Sequence, residues 1–138
     1  MLKHLCLALG LAGLAAPALA QQFTTAAEVR PILQATRANW VAVREYEGQD
    51  LVYFTHLLSW RCGLMGIKFG LNGAEATQFF PAEPCHDGTA QPNALSSEAH
   101  FPYFTMPLGS VQSLSVTIIY DDGVEESASF ERAQVLMP

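Results

Sequence analysis

Two cysteines, Cys62 and Cys85, constrain the fold of this chain more than any other feature of its sequence. A third cysteine, Cys6, lies in an N-terminal segment that has the character of a removable leader, so the other two form an even set. In an oxidising compartment, an even set of cysteines predicts a disulfide bond. This bond would close a loop of about 23 residues and stabilise the fold by roughly 3 kcal/mol, because it lowers the entropy of the unfolded chain.

A metal site is the alternative for the same part of the chain. Cys62, Cys85 and His86 would bind the metal together with His56 or His100. Neither cysteine has another cysteine close by in sequence, and Cys85 is adjacent to His86, which does not match the usual zinc spacings. The sequence therefore favours the disulfide, and it predicts neither a metal nor a cofactor.

The first 20 residues have the pattern of a secretory signal peptide. Lys3 gives a short basic start, residues 5–16 are apolar, and residues 18–20 form an Ala-Leu-Ala cleavage site. In this respect the chain resembles the small exported proteins of unknown function found in Gram-negative bacteria. The resemblance implies a periplasmic or secreted location and no particular activity. An uncleaved N-terminal anchor is the alternative.

Signal cleavage would leave residues 21–138, a length that is typical of one domain. Removal of Lys3 leaves six Lys and Arg residues against 13 Asp and Glu residues, so the net charge is 6 − 13 = −7. Because nucleic-acid backbones and anionic lipid surfaces attract basic patches, this composition disfavours both as partners. No later stretch approaches the roughly 18 apolar residues of a membrane span, so we expect none after cleavage.

The segment after the leader predicts one helix. Thr25 and Glu28 have the spacing of a capping box, in which the threonine oxygen accepts from the Glu28 amide. Apolar residues follow at helical spacing, so the predicted helix covers residues 25–39. Pro31 lies inside this range, where it removes one backbone hydrogen bond and is expected to kink the helix or to start it.

From residue 40 the apolar period changes to two, which is typical of strands. Asn72 and Gly73 form a dipeptide that is typical of a hairpin turn, because both residues tolerate positive φ. His56 lies inside the second predicted strand, where a histidine is more often a packed residue than a ligand. Residues 89–100 are polar and predict a long loop. The predicted strands before this loop are residues 40–46, 51–60, 67–71 and 75–80.

The last 30 residues predict a hairpin whose turn lies at residues 121–123. A two-residue turn would pair Val116 with Ser129, whereas a three-residue turn pairs Val116 with Ala128. The three-residue turn is preferred because it places apolar residues opposite one another on the same face. It also places Gly123 where a type I turn followed by a bulge requires a left-handed residue.

Six or seven short strands separated by turn signals predict a mainly β fold, an antiparallel β-sandwich preceded by one N-terminal α-helix. Residues 101–136, with a Pro-Leu-Gly turn, a long strand and a final hairpin, resemble immunoglobulin-like or fibronectin-type modules. The resemblance implies an immunoglobulin-like sandwich, although the cysteines are too close in sequence for the usual bond between its sheets. The alternative is an α+β fold with the helix packed on an antiparallel sheet.

No catalytic or nucleotide-binding motif is present, whether a nucleophile elbow, a zincin helix, a glycine-rich phosphate loop or a C-x-x-C pair. No catalytic residue is therefore predicted. The acidic residues 121–126 match no calcium loop and are interpreted as a solvated turn.

Aromatic residues on both sides of the long loop are the candidate interaction surface. Adjacent Phe79 and Phe80 cannot both point to one face of a strand, so we expect one of them to be exposed. A second core layer under the loop is the alternative. The candidate surface residues are Phe79, Phe80, His86, Phe101 and Tyr103.

These observations favour a non-enzymatic periplasmic β-sandwich that binds an envelope protein or another envelope component. The alternative is a periplasmic protein that binds a small molecule or a metal, or a small hydrolase. That site would use His56, His86 and His100 with the carboxylates of Asp87 and Glu98. Convergence of two histidines and a carboxylate on one point would favour this alternative.

Overall fold

The computed structural model describes residues 22–138 together with Gly10 and Gly13. The predicted signal peptide, residues 1–20, lies outside the described residues except for these two glycines. Across the described part of the chain, no helix combines the length and the apolar character needed to cross a membrane.

Residues 22–138 are mainly β, with seven strands and three short helices. The strands are β1 (Ala42–Tyr46), β2 (Gln49–Tyr53), β3 (Leu64–Leu71), β4 (Gln78–Phe79), β5 (Tyr103–Pro107), β6 (Ser113–Tyr120) and β7 (Glu125–Glu131). The helices are α1 (Ala26–Ala35), α2 (Thr55–Leu58) and α3 (Arg132–Val135), and 3₁₀ turns lie at Arg37–Asn39 and Arg61–Gly63.

The strands form two antiparallel sheets, a three-stranded sheet in the order β1-β2-β5 and a four-stranded sheet in the order β4-β3-β6-β7. The C-terminal segment lies along β1, where Val43 and Leu136 form a parallel bridge. The N–H of Met137 also donates to the Val43 carbonyl at 2.8 Å. These contacts join the outer edge of β1 to the residues that follow β7, whereas β4 and β5 each end a sheet.

Aromatic rings from both sheets form one core. Phe54, which directly follows β2, packs against Phe69 of β3 with ring centroids 5.7 Å apart and against Phe80 at 4.5 Å. Phe104 of β5 stacks on Phe69 at 4.8 Å. Because these rings come from both sheets, their burial holds the two sheets together through the hydrophobic effect.

Helix α1 begins at the predicted cap, where the Thr25 hydroxyl accepts from the Glu28 N–H at 3.3 Å. It ends at Ala35 rather than at residue 39, and a 3₁₀ turn follows. At this end the Thr36 hydroxyl donates to the Ile32 carbonyl at 2.7 Å, a local side-chain bond that competes with continued helix.

The predicted strand over residues 51–60 is wrong beyond Tyr53. The chain turns into α2, and the Leu58 N–H donates to the Phe54 carbonyl at 2.9 Å. Leu57 and Leu58 are both buried. With Phe54 they are buried at i, i+3 and i+4, the spacing of a helical turn, whereas Thr55 is exposed. One turn is too short for its period to distinguish a helix from a strand.

The predicted return strand over residues 75–80 forms only at Gln78–Phe79, although the turn before it forms as predicted. Asn72 and Gly73 adopt φ of 54° and 85°, and the Ala74 N–H donates to the Leu71 carbonyl at 3.1 Å. The chain then crosses Gly70, where a Cβ atom would lie 2.4 Å from the Ala74 carbonyl oxygen. Pairing with β3 is thus delayed until β4, which contains only two residues.

The register predicted for the C-terminal hairpin is confirmed. Val116 pairs with Ala128 and Leu114 pairs with Phe130. The Tyr120 N–H donates to the Val124 carbonyl at 2.8 Å, which closes the three-residue turn. Within that turn Gly123 has φ of 85°, a left-handed conformation that glycine adopts without steric cost.

Candidate functional site

An aromatic cavity of about 230 Å³ opens between the ends of the two sheets, beside β4 and β5. Phe79 and Phe80 line it from β4 and the residue after it, and Phe101, Tyr103 and Phe104 line it from β5 and the residues before it. Four of the predicted surface residues therefore meet at one place. Phe79 and Phe101 are each 64% exposed, whereas Phe80 is only 6% exposed and belongs to the core.

A second cavity of about 270 Å³ lies next to the first. Phe79 and Phe80 line both cavities, and Met65 lines only the second, with 67% of its surface exposed. The Phe101 and Tyr103 rings are 5.7 Å apart. We call the surface formed by Met65, Phe79, Phe101 and Tyr103 the aromatic face.

Sequence periodicity missed Met65 because it lies at an irregularity in β3. Leu64 pairs with Tyr120 and Gly66 pairs with Ile119, so the register shifts at Met65. A bulge residue leaves the inward and outward alternation of its strand, and here it turns outward. No local signal marked this position.

Both strands beside the aromatic cavity present free backbone edges. The Phe54 N–H donates to the Pro102 carbonyl at 2.8 Å, so these two residues form a hydrogen-bonded pair. The next pair along the strands, Tyr53 and Tyr103, is therefore not hydrogen-bonded. Because hydrogen-bonded and non-bonded pairs alternate in antiparallel strands, the N–H and C=O groups of Tyr103 and Thr105 point away from β2. Within residues 22–138, no strand pairs with β5 on that side.

Arg61 anchors the long loop below the aromatic face. Its side chain is almost fully buried and donates hydrogen bonds of 2.6–3.0 Å to five backbone carbonyls. A guanidinium group has five N–H donors in a fixed plane, so it can hold several carbonyl groups at once. The acceptors are the carbonyls of Leu58, Glu83, Pro84, Asn93 and Ala94.

Glu83 also holds the loop, as an acceptor of backbone N–H groups, whereas Arg61 donates to backbone carbonyls. Its buried carboxylate accepts from the N–H groups of Ser96 and Ser97 and contacts the His86 ring. Burial alone would raise the pKa of Glu83, but the bonds from the Ser97 N–H, His86 and the Ser96 N–H, with the charge of Arg61, lower that pKa to about 2. The carboxylate is therefore ionised and structural at neutral pH.

The predicted disulfide between Cys62 and Cys85 is confirmed, with their Cα atoms 5.0 Å apart. Asn93 reinforces the same region, because its Oδ1 accepts from the Cys62 N–H at 2.8 Å and its Nδ2 donates to the Phe23 carbonyl at 3.0 Å. The loop over residues 85–100 is thus fastened by a covalent bond, a buried arginine, a buried glutamate and an asparagine. A fastened loop costs less ordering entropy when a ligand binds beside it.

The three histidines of the alternative site have separate partners. His56 is hydrogen-bonded through Nε2 to the Thr36 hydroxyl at 2.7 Å, and partial burial lowers the pKa of its ring. His100 is hydrogen-bonded through Nδ1 to the Ser97 hydroxyl at 2.9 Å and lines the aromatic cavity. His86 faces Glu83 instead of the aromatic cavity.

The contacts of His86 do not have the geometry of a hydrolytic triad. Its Nε2 atom contacts both the Glu83 carboxylate and the Ser96 hydroxyl, the latter at 3.4 Å. A triad places the acid on one ring nitrogen and the nucleophile on the other. In the described ranges, no group of three or more His, Cys, Asp and Glu side chains is arranged to hold a metal ion.

The chain matches no protein-family model, no curated protein and no solved structure.

Proposed function

We propose that this chain is an exported, non-enzymatic interaction module that binds another protein of the periplasm or cell envelope through the aromatic face. The observation that carries the proposal is the exposure of Met65, Phe79 and Phe101 on a rigid support. Contiguous exposed apolar side chains are uncommon on monomeric proteins and mark interaction sites. Aromatic anchors of this kind supply most of the binding energy in protein interfaces.

The strand order supports an immunoglobulin-like sandwich as the scaffold. In constant-type immunoglobulin domains, strands numbered along the chain form sheets 1-2-5-4 and 3-6-7. The orders here are 1-2-5 and 4-3-6-7, so they differ only in the sheet that the fourth strand joins. Such sandwiches commonly carry binding residues on loops and edges, while the sheets act as a support.

The disulfide supports export to an oxidising compartment. Disulfides persist in the periplasm and outside the cell, whereas cytosolic thiols are kept reduced. Cys85 of this bond is the first residue of the loop that borders the aromatic face. In this proposal the disulfide forms after export and stabilises the loop beside the binding surface.

At the aromatic face, the sizes of the two cavities favour a protein partner over a small molecule. They measure about 230 and 270 Å³. Pockets that enclose a drug-sized ligand usually measure about 300–1,000 Å³. Each cavity is therefore better suited to one side chain of a partner protein than to a whole ligand.

Photocrosslinking in intact cells tests this proposal. A benzophenone amino acid replaces Phe79 or Phe101, and replaces Leu108 as the control. Leu108 is 55% exposed and follows the opposite end of β5. We expect one common protein adduct from positions 79 and 101 and none from position 108. Equal adducts from all three positions, or none from positions 79 and 101, would contradict the proposal.

Direct binding of the purified partner provides the second measurement. Phe101→Ser is expected to weaken binding at least about 30-fold, the loss expected for a binding hot spot. Leu108→Ser is expected to leave the affinity unchanged. Both substitutions are at exposed positions, so the melting temperatures should stay close to that of the parent protein.

A further inference from the structure

We infer that the free edge of β5 binds an extended, basic segment of the partner polypeptide, which adds to the three-stranded sheet as a fourth strand. The inference rests on the proposed function and specifies the partner's chemistry. A strand is the occupant that matches the edge, because an added strand can satisfy several backbone donors and acceptors in one row.

The free edge has a defined length. Tyr103 and Thr105 direct their N–H and C=O groups outward, and Pro107 ends the edge because proline has no N–H group. In residues 22–138, no backbone hydrogen bond to another chain segment uses these outward groups. The edge therefore accommodates a short strand that forms about four backbone hydrogen bonds.

The aromatic cavity selects apolar side chains on that strand. It opens beside the start of β5, and Tyr103 and Phe101 form one wall. Successive side chains of a strand point to opposite faces, so every second residue of an added strand would turn to the same side. The partner segment should therefore carry aromatic or branched aliphatic residues at alternate positions.

Charge distinguishes a basic partner from a second copy of this chain. Five of the six Lys and Arg residues in the described part of the chain are within ion-pair distance of a carboxylate. Glu98 precedes cavity residue Ala99 and has no ion-pair partner among the described residues. Two copies would each bring a net charge of −7 for residues 21–138 and repel each other, whereas a basic segment is attracted.

Peptide selection tests the inference with a probe that does not require the natural partner. A displayed library of random peptides, about ten residues long, would be selected on the disulfide-bonded protein at low salt. We expect enriched sequences with apolar residues at every second position and Lys or Arg between them. No enrichment, acidic sequences, or sequences without period two would overturn the inference.

A matched pair of variants tests the backbone contact directly. Thr105→Pro removes an outward N–H group without removing a bond to β2, whereas Thr105→Val keeps that group. We expect Thr105→Pro to weaken the best peptide about tenfold or more and Thr105→Val to preserve the affinity. Equal affinities would overturn the inference. Hydrogen exchange of the complex should also slow at the amides of Tyr103 and Thr105.

The two proposals can fail separately. If a protein crosslinks through Phe79 and Phe101 but its affinity is unaffected by Thr105→Pro, the added-strand inference is wrong and the interaction module stands. If no protein crosslinks through the aromatic face, the proposed function itself is wrong. Self-association of the purified protein that Thr105→Pro abolishes would identify a second copy as the occupant and overturn the basic-partner inference.

Discussion

Asp50 carries a buried charge inside β2. The Arg132 guanidinium donates to its two oxygens at 2.7 and 3.0 Å, and the N–H groups of Gly109 and Val111 each donate at 3.0 Å. The hydrogen bond from Arg132 lowers the pKa of Asp50 to about 2, against the opposing effect of burial. This carboxylate therefore joins the turn after β5 to the start of α3.

We expect Asp50→Asn to lower the free energy of unfolding by about 3 kcal/mol, because it leaves Arg132 without a buried counter-charge. Glu45→Gln is the matched control, since Glu45 contacts the same guanidinium at 2.7 Å but its side chain is 53% exposed. Its loss should stay below about 1 kcal/mol. Urea unfolding measures both values. Equal losses would show that burial of the Asp50 pair contributes nothing to stability.

Stability should fall in acid because of Asp50 and Glu83. Their ordinary pKa values are 3.8 and 4.5, and both are lowered to about 2 in the fold. The unfolded chain therefore binds more protons than the folded chain between these values, and stability decreases as the pH falls. We expect a steady loss of the free energy of unfolding from about pH 5 to about 2, and a shallower loss for Asp50→Asn. An equal slope for both proteins would contradict this assignment.

At the scale of elements, the β6–β7 hairpin depends on Gly123. Its φ of 85° is strained for a residue with a Cβ atom and more so for a β-branched one. We expect Gly123→Val to cost about 2 kcal/mol and lower the melting temperature, while Gly123→Asn costs clearly less, because asparagine tolerates this conformation. An unchanged melting temperature for Gly123→Val would refute the three-residue turn.

The register, length and type of the elements could be predicted from their own sequence to different extents. The β6–β7 register follows from apolar alternation and a turn within one short segment. At Asn72 and Gly73 the local turn also formed, but the close crossing at Gly70 displaced the strand that follows. α2 was missed although Phe54, Leu57 and Leu58 are buried at i, i+3 and i+4, because one helical turn is too short to be distinguished from a strand by its period. Local sequence signals therefore predicted the turns. The length and type of the elements that follow the turns depend on contacts between distant segments.

At the scale of the whole molecule, the disulfide and Arg61 hold the loop that borders the aromatic face. We expect the double substitution of Cys62 and Cys85 by alanine to lower the free energy of unfolding by about 3 kcal/mol. Hydrogen exchange should increase most at Ser96 and Ser97, whose amides bind Glu83. Reductant should destabilise the parent protein and leave the variant unchanged. A loss below about 1 kcal/mol would contradict a stabilising role for the disulfide.

Four features could be predicted from the sequence alone: the disulfide, the mainly β composition, the register of the last hairpin and the exposure of one of two adjacent phenylalanines. Each of these follows from residue type, spacing or alternation over a short distance. Three further features became visible only in the folded protein: Phe79 and Phe101 share a cavity, Met65 turns outward at a bulge, and His86 faces Glu83. These features depend on how the two sheets meet, which is set by packing between residues far apart in the chain.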